Sequence, residues 1–364
     1  MRPASGRHRE RDVTDFGVYV HIPFCRHRCD YCAFATWTDR HDLMADYVAG
    51  CRREVVQADL PAATSVFFGG GTPSLLPSAL LVSILAVIRR RPEAEVTVEC
   101  NPETVTPALL ADYRNGGVNR LSFGVQSLAP HVLAALGRHH DPDTVERAVR
   151  GARAEGFESV NLDLIFGGVG ESLADWAATV EAALALGPEH ISAYALTVEP
   201  GTPLARDRLR WPDDDDQADK YLLADERLAA SGFDWYEISN WARPGHECRH
   251  NRLYWAQGDY RGVGCSAHSH QGGRRWWNVR TPERYLDLLG SGRRPVGGEE
   301  LLDRATRELE RRQLALRTRE GVDAECLPPL DGLVARNGDR AVLTVRGRLL
   351  ANEVATQLRV GRED

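Results

Sequence analysis

The chain has 364 residues, with 45 basic and 52 acidic side chains that give a formal net charge of −7. This length corresponds to about two to three domains, or to one large barrel with an appendage. Because the net charge is negative, the composition argues against a protein held to nucleic acid by overall electrostatic attraction. We therefore expect no nucleic-acid partner.

The first fifteen residues are polar and basic, and they lack the apolar stretch of a signal peptide. We expect them to form a polar N-terminal arm, residues 1–15. No apolar run in the chain reaches the length of a membrane span. Eight cysteines are too few for a disulfide scaffold of this size, so we expect free thiols and a cytoplasmic protein.

Short apolar strands alternate with helical segments along the first half of the chain. The predicted strands are residues 17–22, 64–68, 95–100, 120–125, 159–166 and 190–198. Such alternation is typical of a parallel sheet with helices packed on it. Six units are fewer than the eight of a closed barrel, so we predict an α/β fold with an open, partial (β/α)6 barrel over residues 16–240.

The remainder of the chain does not continue the alternation of strands and helices. Residues 233–238 predict one further strand, and residues 241–281, rich in Gly, His, Trp and Tyr, are interpreted as a connecting segment. Beyond them the sequence predicts a helix over 304–317, a hairpin over 333–345 with Asn337-Gly338 at its turn, and a last helix over 347–358. We interpret residues 282–364 as a small α+β, winged-helix-like C-terminal domain.

Three cysteines, Cys25, Cys29 and Cys32, follow the first predicted strand at the spacing C-x3-C-x2-C. Soft thiolates select zinc or iron–sulfur centres. A structural zinc site needs four protein ligands, whereas three cysteines on a 4Fe–4S cluster leave one iron open. A zinc site completed by His21 or His27 is the main alternative. A disulfide is a weaker one, because loops this short are awkward to close.

Other polar and small residues fall where predicted strands end, which is where barrels of this kind carry their chemistry. The run Gly69–Thr72 follows the second strand and lets a ligand approach the backbone; a tight turn is the alternative. Glu99 and Asp163 are carboxylates in apolar strands, which is costly without a partner. Either a cationic or hydroxyl-bearing ligand satisfies them, or an internal ion pair with Arg120 or Arg138 does.

The cysteine spacing resembles the signature of the radical SAM superfamily, in which S-adenosylmethionine chelates the open iron of a 4Fe–4S cluster. Further segments resemble one branch, the oxygen-independent coproporphyrinogen III dehydrogenases and the HemW-type haem chaperones. These segments are residues 19–25, 68–74, 99–102, 123–127, 136–139, 161–165 and 236–240. The resemblance implies that the S-adenosylmethionine site is lined by Tyr19, Gly70, Gly71, Thr72, Glu99, Gln126, Arg138 and Asp163.

Two features distinguish the groups within this branch. Phe34 stands where the dehydrogenases carry a fourth cysteine, as in the chaperone group. The segment from His250 to Trp255 resembles the chaperones' H-N-x-x-Y-W motif, which is associated with haem, and an imidazole can ligate haem iron. A packed structural histidine is the alternative reading of His250. Other candidate axial ligands are Cys248, Cys265, His268 and His270.

The resemblance therefore implies a haem chaperone that holds a 4Fe–4S cluster, S-adenosylmethionine and haem, and delivers haem to acceptor proteins such as respiratory enzymes. The alternative is an oxygen-independent coproporphyrinogen III dehydrogenase, which uses a 5′-deoxyadenosyl radical in porphyrin biosynthesis. Whether the chain is an enzyme is left undecided, as are peripheral membrane association and a homodimer. Ser266 stands where the family commonly has glycine, which puts a close backbone approach there in doubt.

Overall fold

The computed structural model describes residues 15–359, so the predicted arm lies outside the described residues except for Asp15. The main element is an open sheet of twelve strands in the order β12-β11-β10-β9-β1-β2-β3-β4-β5-β6-β8-β7. Its strands are β1 (Phe16–Ile22), β2 (Ala63–Gly70), β3 (Arg90–Cys100), β4 (Arg120–Gln126), β5 (Ser159–Phe166), β6 (His190–Ala195), β7 (Asp234–Glu237), β8 (Asn240–Ala242), β9 (Asp259–Val263), β10 (His268–Gln271), β11 (Arg274–Asn278) and β12 (Val296–Leu301).

Strands β1 to β6 pair in sequence order, and every pair is parallel. The two outermost strands of the sheet, β12 and β7, do not pair with each other, so the barrel stays open. This arrangement confirms the predicted partial (β/α)6 barrel. The largest boundary difference is in β3, which begins at Arg90 and not at Glu95.

Helices connect the six parallel strands, and two further helices follow β6. They are α1 (Met44–Ala58), α2 (Ser78–Val87), α3 (Pro107–Gly116), α4 (Pro130–Ala135), α5 (Pro142–Ala154), α6 (Leu173–Ala185), α7 (Pro203–Arg206) and α8 (Asp214–Ala230). Their starts follow local chemistry. The Thr106 side chain accepts from the Leu109 amide at the start of α3, and Ser172 forms a capping box with Asp175 at the start of α6.

The sheet continues on both sides of the six parallel strands. On one side, β8 and β7 add an antiparallel hairpin next to β6, so the single strand predicted at 233–238 is the first half of a pair. On the other side, β9 runs parallel to β1, and β10, β11 and β12 follow antiparallel. These added strands cross the predicted boundaries at residues 240 and 281.

The C-terminal part has a small core of its own, formed around Leu316, Leu327, Leu343 and Val354. Its sheet has the order β13-β15-β14. The remaining elements are α9 (Arg249–Trp255), α10 (Pro282–Gly290), α11 (Arg304–Leu316), β13 (Val322–Asp323), β14 (Val334–Asn337), β15 (Arg340–Leu343), α12 (Val345–Leu349) and α13 (Ala351–Ala355).

Two predictions for this C-terminal part need correction. The turn of the predicted hairpin is Gly338-Asp339, one residue later than expected, because Asn337 pairs with Arg340. The predicted last helix is two short helices separated at Leu350.

The main core lies between the barrel strands and the surrounding helices. On β1, Val18, Val20 and Ile22 are fully buried and point to one face, and Tyr19 is partly buried on the other. Both faces of β1 are covered, as expected for a parallel strand inside a barrel. No helix among residues 15–359 is both long enough and apolar enough to cross a membrane.

Candidate cofactor site

A cavity of about 610 Å³ opens at the carboxyl ends of the parallel strands. It brings together the three cysteines and most of the residues assigned to S-adenosylmethionine from sequence. Those residues are Cys25, Cys29, Cys32, Gly70, Gly71, Thr72, Glu99, Gln126, Arg138 and Asp163. Tyr19 and His250 are the two predicted site residues that do not line this cavity. A volume of this size is typical of small-molecule sites.

The base of the cysteine loop is fixed by hydrogen bonds around Cys25. Its amide donates to the Trp37 carbonyl at 3.0 Å, and the His41 ring donates to the Cys25 carbonyl at 2.9 Å. The Thr72 hydroxyl donates to the Cys25 sulfur at 3.7 Å. Burial raises the pKa of the Cys25 thiol to about 11, so a bound metal centre is needed to hold this sulfur as a thiolate.

The donor set fits an iron–sulfur cluster. All eight cysteines are free thiols, and the Arg138 guanidinium lies 3.6 Å from the Cys29 sulfur, where its charge stabilises a thiolate. Among residues 15–359, no three His, Cys, Asp or Glu side chains converge on a single metal position. Cluster cysteines each bind a different iron, so their sulfurs need not converge in that way.

The zinc alternative finds no support at His21. This side chain is 5% exposed and does not line the cavity. Its Nε2 bonds the Ala35 carbonyl at 2.9 Å and its Nδ1 bonds the Tyr19 hydroxyl at 3.1 Å. Both ring nitrogens are therefore occupied. His27 does line the cavity, with its ring edge-on to His139.

The glycine turn after β2 leaves no room for side chains. Gly70 has a φ of 112°, and a Cβ there would lie 2.5 Å from the His21 ring. A Cβ on Gly71 would lie 2.6 Å from the Phe24 carbonyl oxygen and 3.0 Å from the Cys25 sulfur. The turn is thus packed directly against the cysteine loop. The two alternatives for this segment, a tight turn and a backbone surface for a ligand, are therefore compatible with each other.

Two carboxylates face the cavity from β3 and β5, the strands on either side of β4. Glu99 accepts a hydrogen bond from the Gly70 amide at 3.1 Å, and burial, followed by repulsion from Asp163, raises its pKa to about 8. Asp163 accepts from the Ser122 hydroxyl at 2.7 Å and from the Asn161 amide at 2.9 Å. Within the described chain neither carboxylate has an ion-pair partner, so the predicted internal ion pair with Arg120 or Arg138 does not form.

Arg138 and Gln126 occupy the rim above β3 and β4. The Arg138 guanidinium donates to the Asn101 side-chain oxygen at 3.1 Å and to the Gly124 carbonyl at 2.9 Å. Gln126 has a φ of 65°, in the left-handed region that residues other than glycine seldom adopt. Such a conformation at the end of β4 turns the Gln126 side chain toward the cavity, and it is a feature often found at functional sites.

Tyr19 lies on β1 and is partly buried. Its ring stacks on Phe67 at 6.3 Å between centroids, and its hydroxyl holds the His21 ring. A Cβ on Gly69 would lie 3.1 Å from both the Tyr19 ring and the Glu99 carboxylate. Tyr19 therefore contacts the glycine turn without lining the cavity, and its role in binding S-adenosylmethionine stays a prediction.

His250 is placed differently from its predicted role as a haem ligand. The side chain is 1% exposed; its Nδ1 bonds the Ser65 hydroxyl at 2.9 Å, and its Nε2 bonds the Tyr254 hydroxyl at 2.8 Å. Burial lowers its pKa to about 3. Both ring nitrogens are therefore engaged in the core, as in the packed structural alternative, and ligation of haem by His250 stays a prediction.

Several cavity residues were missed from sequence. Asn101 bonds both Arg138 and Thr72, Ser122 holds Asp163, and Tyr194 lines the wall from β6. Asn101 and Tyr194 lie at or just beyond the carboxyl ends of their strands, and Ser122 lies within β4. A strand-end position could have indicated Asn101 and Tyr194 as site residues. Neither is charged, however, and uncharged polar residues are common at strand ends because they form turns.

The comparisons with known proteins cover nearly the whole chain. The Radical SAM superfamily model matches residues 19–183. The chain is 45% identical to "Heme chaperone HemW" of Mycobacterium tuberculosis H37Rv over 94% of each protein, and 34% identical to that of Bacillus subtilis over 93% of this chain and 97% of the relative. Coproporphyrinogen III oxidase (HemN) from Escherichia coli, a radical SAM enzyme, superposes with a TM-score of 0.82 and 25% identity, over 94% of this chain and 89% of that one.

Proposed function

The chain belongs to the HemW family of the radical SAM superfamily, and from this premise we propose that it is a haem chaperone. It binds haem and delivers it to acceptor proteins. It also holds a 4Fe–4S cluster on Cys25, Cys29 and Cys32, with S-adenosylmethionine beside the cluster in the same cavity.

The observation that carries this proposal is the convergence of the predicted cluster and S-adenosylmethionine residues on one cavity, in a chain that matches heme chaperones along 94% of its length. The fold alone does not select the function, because a coproporphyrinogen III oxidase has the same fold. Phe34 supports the choice. It lines the cavity with 65% of its surface exposed, at the position where the dehydrogenases carry a fourth cysteine.

Different residues of the cavity bind the two cofactors. A 4Fe–4S cluster held by Cys25, Cys29 and Cys32 would leave one iron without a protein ligand, which would be available to S-adenosylmethionine. The backbone at Gly70 and Gly71 offers a surface without Cβ atoms against which the ligand lies, and Glu99 and Asp163 provide negative charge for its cationic groups. Arg138 holds the rim in place and stabilises the Cys29 thiolate.

The free thiols support a cytoplasmic setting. All eight cysteines are free, as expected in a reducing compartment, and we place the protein in the cytoplasm. The haem acceptors in this proposal are proteins such as respiratory enzymes. Peripheral contact with the membrane where such acceptors lie, and a homodimer, belong to the same proposal.

Anaerobic product analysis separates the chaperone from the dehydrogenase. The reconstituted protein is incubated with reductant, S-adenosylmethionine and coproporphyrinogen III, and the porphyrins are separated after oxidation. We expect coproporphyrin alone. Formation of protoporphyrin would overturn the chaperone proposal in favour of the dehydrogenase, whereas a parallel sample of a known dehydrogenase shows that the assay works.

A further inference from the structure

A second groove, of about 580 Å³, lies beside the cofactor cavity. It is formed where β10, β11 and β12 extend the sheet past the cysteine loop. Its walls include Ala33, Ala35, His268, Trp277, Arg280 and Arg284. Ala33 lines both the groove and the cofactor cavity, so the loop that carries the cysteines is their shared wall.

His268 is the one exposed side chain among the candidate axial ligands identified from sequence. Cys248, Cys265 and His270 are each at most 2% exposed, and His250 is held in the core by two hydrogen bonds. By contrast, His268 is exposed, and within the described chain no hydrogen bond or ion pair engages its imidazole. Burial of part of the ring lowers its pKa, which favours the neutral imidazole that binds metals.

The sheet register fixes the orientation of this histidine. His268 pairs directly with Trp277, and Trp277 pairs with Gly298, so the three side-chain positions form one row across β10, β11 and β12. The two rings stack with centroids 5.8 Å apart and planes inclined by 27°. A Cβ on Gly298 would lie 2.4 Å from the indole, so glycine is needed there for the ring to lie flat.

Buried hydrogen bonds hold the opposite wall in place. The Glu54 carboxylate, 3% exposed, accepts from Asn278 at 3.0 Å and from Tyr285 at 2.7 Å. Ser266, which has a φ of 57°, donates its amide to the Val279 carbonyl at 2.9 Å. The backbone that leads from β11 to Arg280 is therefore anchored. The left-handed Ser266 also explains why glycine suits this position.

The charge of the groove suits an anionic planar ligand. Arg280 and Arg284 are exposed, and neither has an ion-pair partner within residues 15–359. Unpaired guanidinium groups bind carboxylates as forks. Haem combines an iron that accepts an imidazole with two propionate carboxylates and an apolar ring. The groove offers a partner for each of these groups. The free imidazole of His268 suits the iron, and Arg280 and Arg284 suit the propionates. The indole of Trp277 and the two alanines of the loop suit the apolar ring.

We infer that this groove is where the chain carries haem, with His268 as the axial ligand and Arg280 and Arg284 as the partners of the propionates. The inference rests on the proposed chaperone function and assigns its cargo a site. The site is open to solvent, as a site that must release its ligand to another protein requires. It also places haem next to the cluster loop, so loss of the cluster disturbs the groove through Ala33 and Ala35.

Haem titration of the reconstituted full chain, followed by the Soret band, tests the axial ligand. We expect His268→Ala to shift the Soret maximum and weaken binding at least tenfold, and added imidazole to restore the band. The exposed His131 serves as the surface control, and H131A should match the wild type. A wild-type Soret band in H268A overturns the inference, as does the same shift and imidazole rescue in H250Q. If the wild type shows no saturable haem binding, the chaperone function itself fails.

The arginines are tested with haem and haem dimethyl ester, which lacks the propionate charges. We expect the wild type to prefer haem, and the double variant R280A/R284A to bind both compounds equally. The exposed Arg52 and Arg346 make a matched control, R52A/R346A, which should keep the preference. An unchanged preference in R280A/R284A overturns the assignment of the propionate partners.

Discussion

The Gly70 amide donates a 3.1 Å hydrogen bond to the Glu99 carboxylate and so ties the end of β2 to the end of β3. The same turn packs against the cysteine loop, where Gly71 leaves only 3.0 Å between its absent Cβ and the Cys25 sulfur. One short backbone segment therefore positions both the carboxylate proposed for S-adenosylmethionine and the first cluster cysteine. Binding of the cluster and of the nucleoside ligand should respond together to changes in this turn.

Substitution of Gly71 by alanine tests this coupling. The added methyl group would overlap the Phe24 carbonyl at 2.6 Å and push the cysteine loop away from the turn. We expect G71A to lose at least half of its iron after anaerobic reconstitution and to bind S-adenosylmethionine more weakly. Gly290 has open space around its Cβ position, so G290A is the control and should retain full iron. Full iron content in a folded G71A would show that the close packing is not needed.

Asp163→Ala should weaken S-adenosylmethionine binding while the cluster stays intact. A charged hydrogen-bonding partner contributes roughly 1.5–3 kcal/mol, which corresponds to a loss of about tenfold to a hundredfold in affinity. Calorimetry under anaerobic conditions measures it. The exposed Asp143 on α5 provides the control, D143A. Equal affinities for D163A and the wild type would reduce Asp163 to a structural residue that orders Ser122 and Asn161.

The Glu99 carboxyl should make binding depend on pH. Because burial raises its pKa from 4.5 to about 8, the carboxyl is mostly protonated at pH 7 in the ligand-free protein. A cationic ligand favours the carboxylate, so binding releases a proton and affinity should rise between pH 6 and pH 8. Calorimetry in buffers of different ionisation enthalpy detects that proton. In E99Q the proton release should disappear; a persistent release would assign it to another group.

The raised pKa of Glu99 should also make the stability of the protein depend on pH. The unfolded carboxyl loses its proton near 4.5, whereas the folded one holds it until about 8. The ligand-free protein should therefore become less stable as pH rises through this range, by linkage. Thermal unfolding of the wild type relative to E99Q measures the effect. A difference between the two that does not change with pH would contradict the raised pKa.

Each cluster cysteine should be individually necessary. The wild type should hold about four irons per chain, and C25A, C29A and C32A should each lose most of them. Cys326 lies in the separate C-terminal core, so C326A is the thiol control and should keep its iron. Stoichiometric zinc in the native protein, or iron retained in the triple variant, would contradict the cluster assignment.

Much of the barrel was predictable because its signals are local. The apolar runs of β1 to β6 each act over a few residues, and a strand lies at every one of the six predicted positions. Convergence of Glu99 and Asp163 followed from the rule that parallel strands end at one edge, whereas the place of Arg138 was implied by the resemblance. What the sequence left open was long-range pairing: β9 returns to lie beside β1, and no local pattern indicates that.

His250 shows the opposite limit. In the sequence, a histidine near a tyrosine and a tryptophan resembles a haem-binding motif. In the fold, the two ring nitrogens of this histidine bond Ser65 and Tyr254. Ser65 is distant from His250 in sequence, so this hydrogen bond could not be predicted from local patterns. His268 was only one of several alternatives, because its exposure depends on the pairing of β10 with β11.

The most direct test of the central claim is a haem titration of the anaerobically reconstituted wild-type protein. A chaperone should bind haem saturably at about one per chain, with a Soret band typical of ligated haem. The bound haem should then pass to a haem-free acceptor, with the band moving to that of the acceptor. A spectrum that equals the sum of free haem and protein at every ratio would contradict the chaperone function.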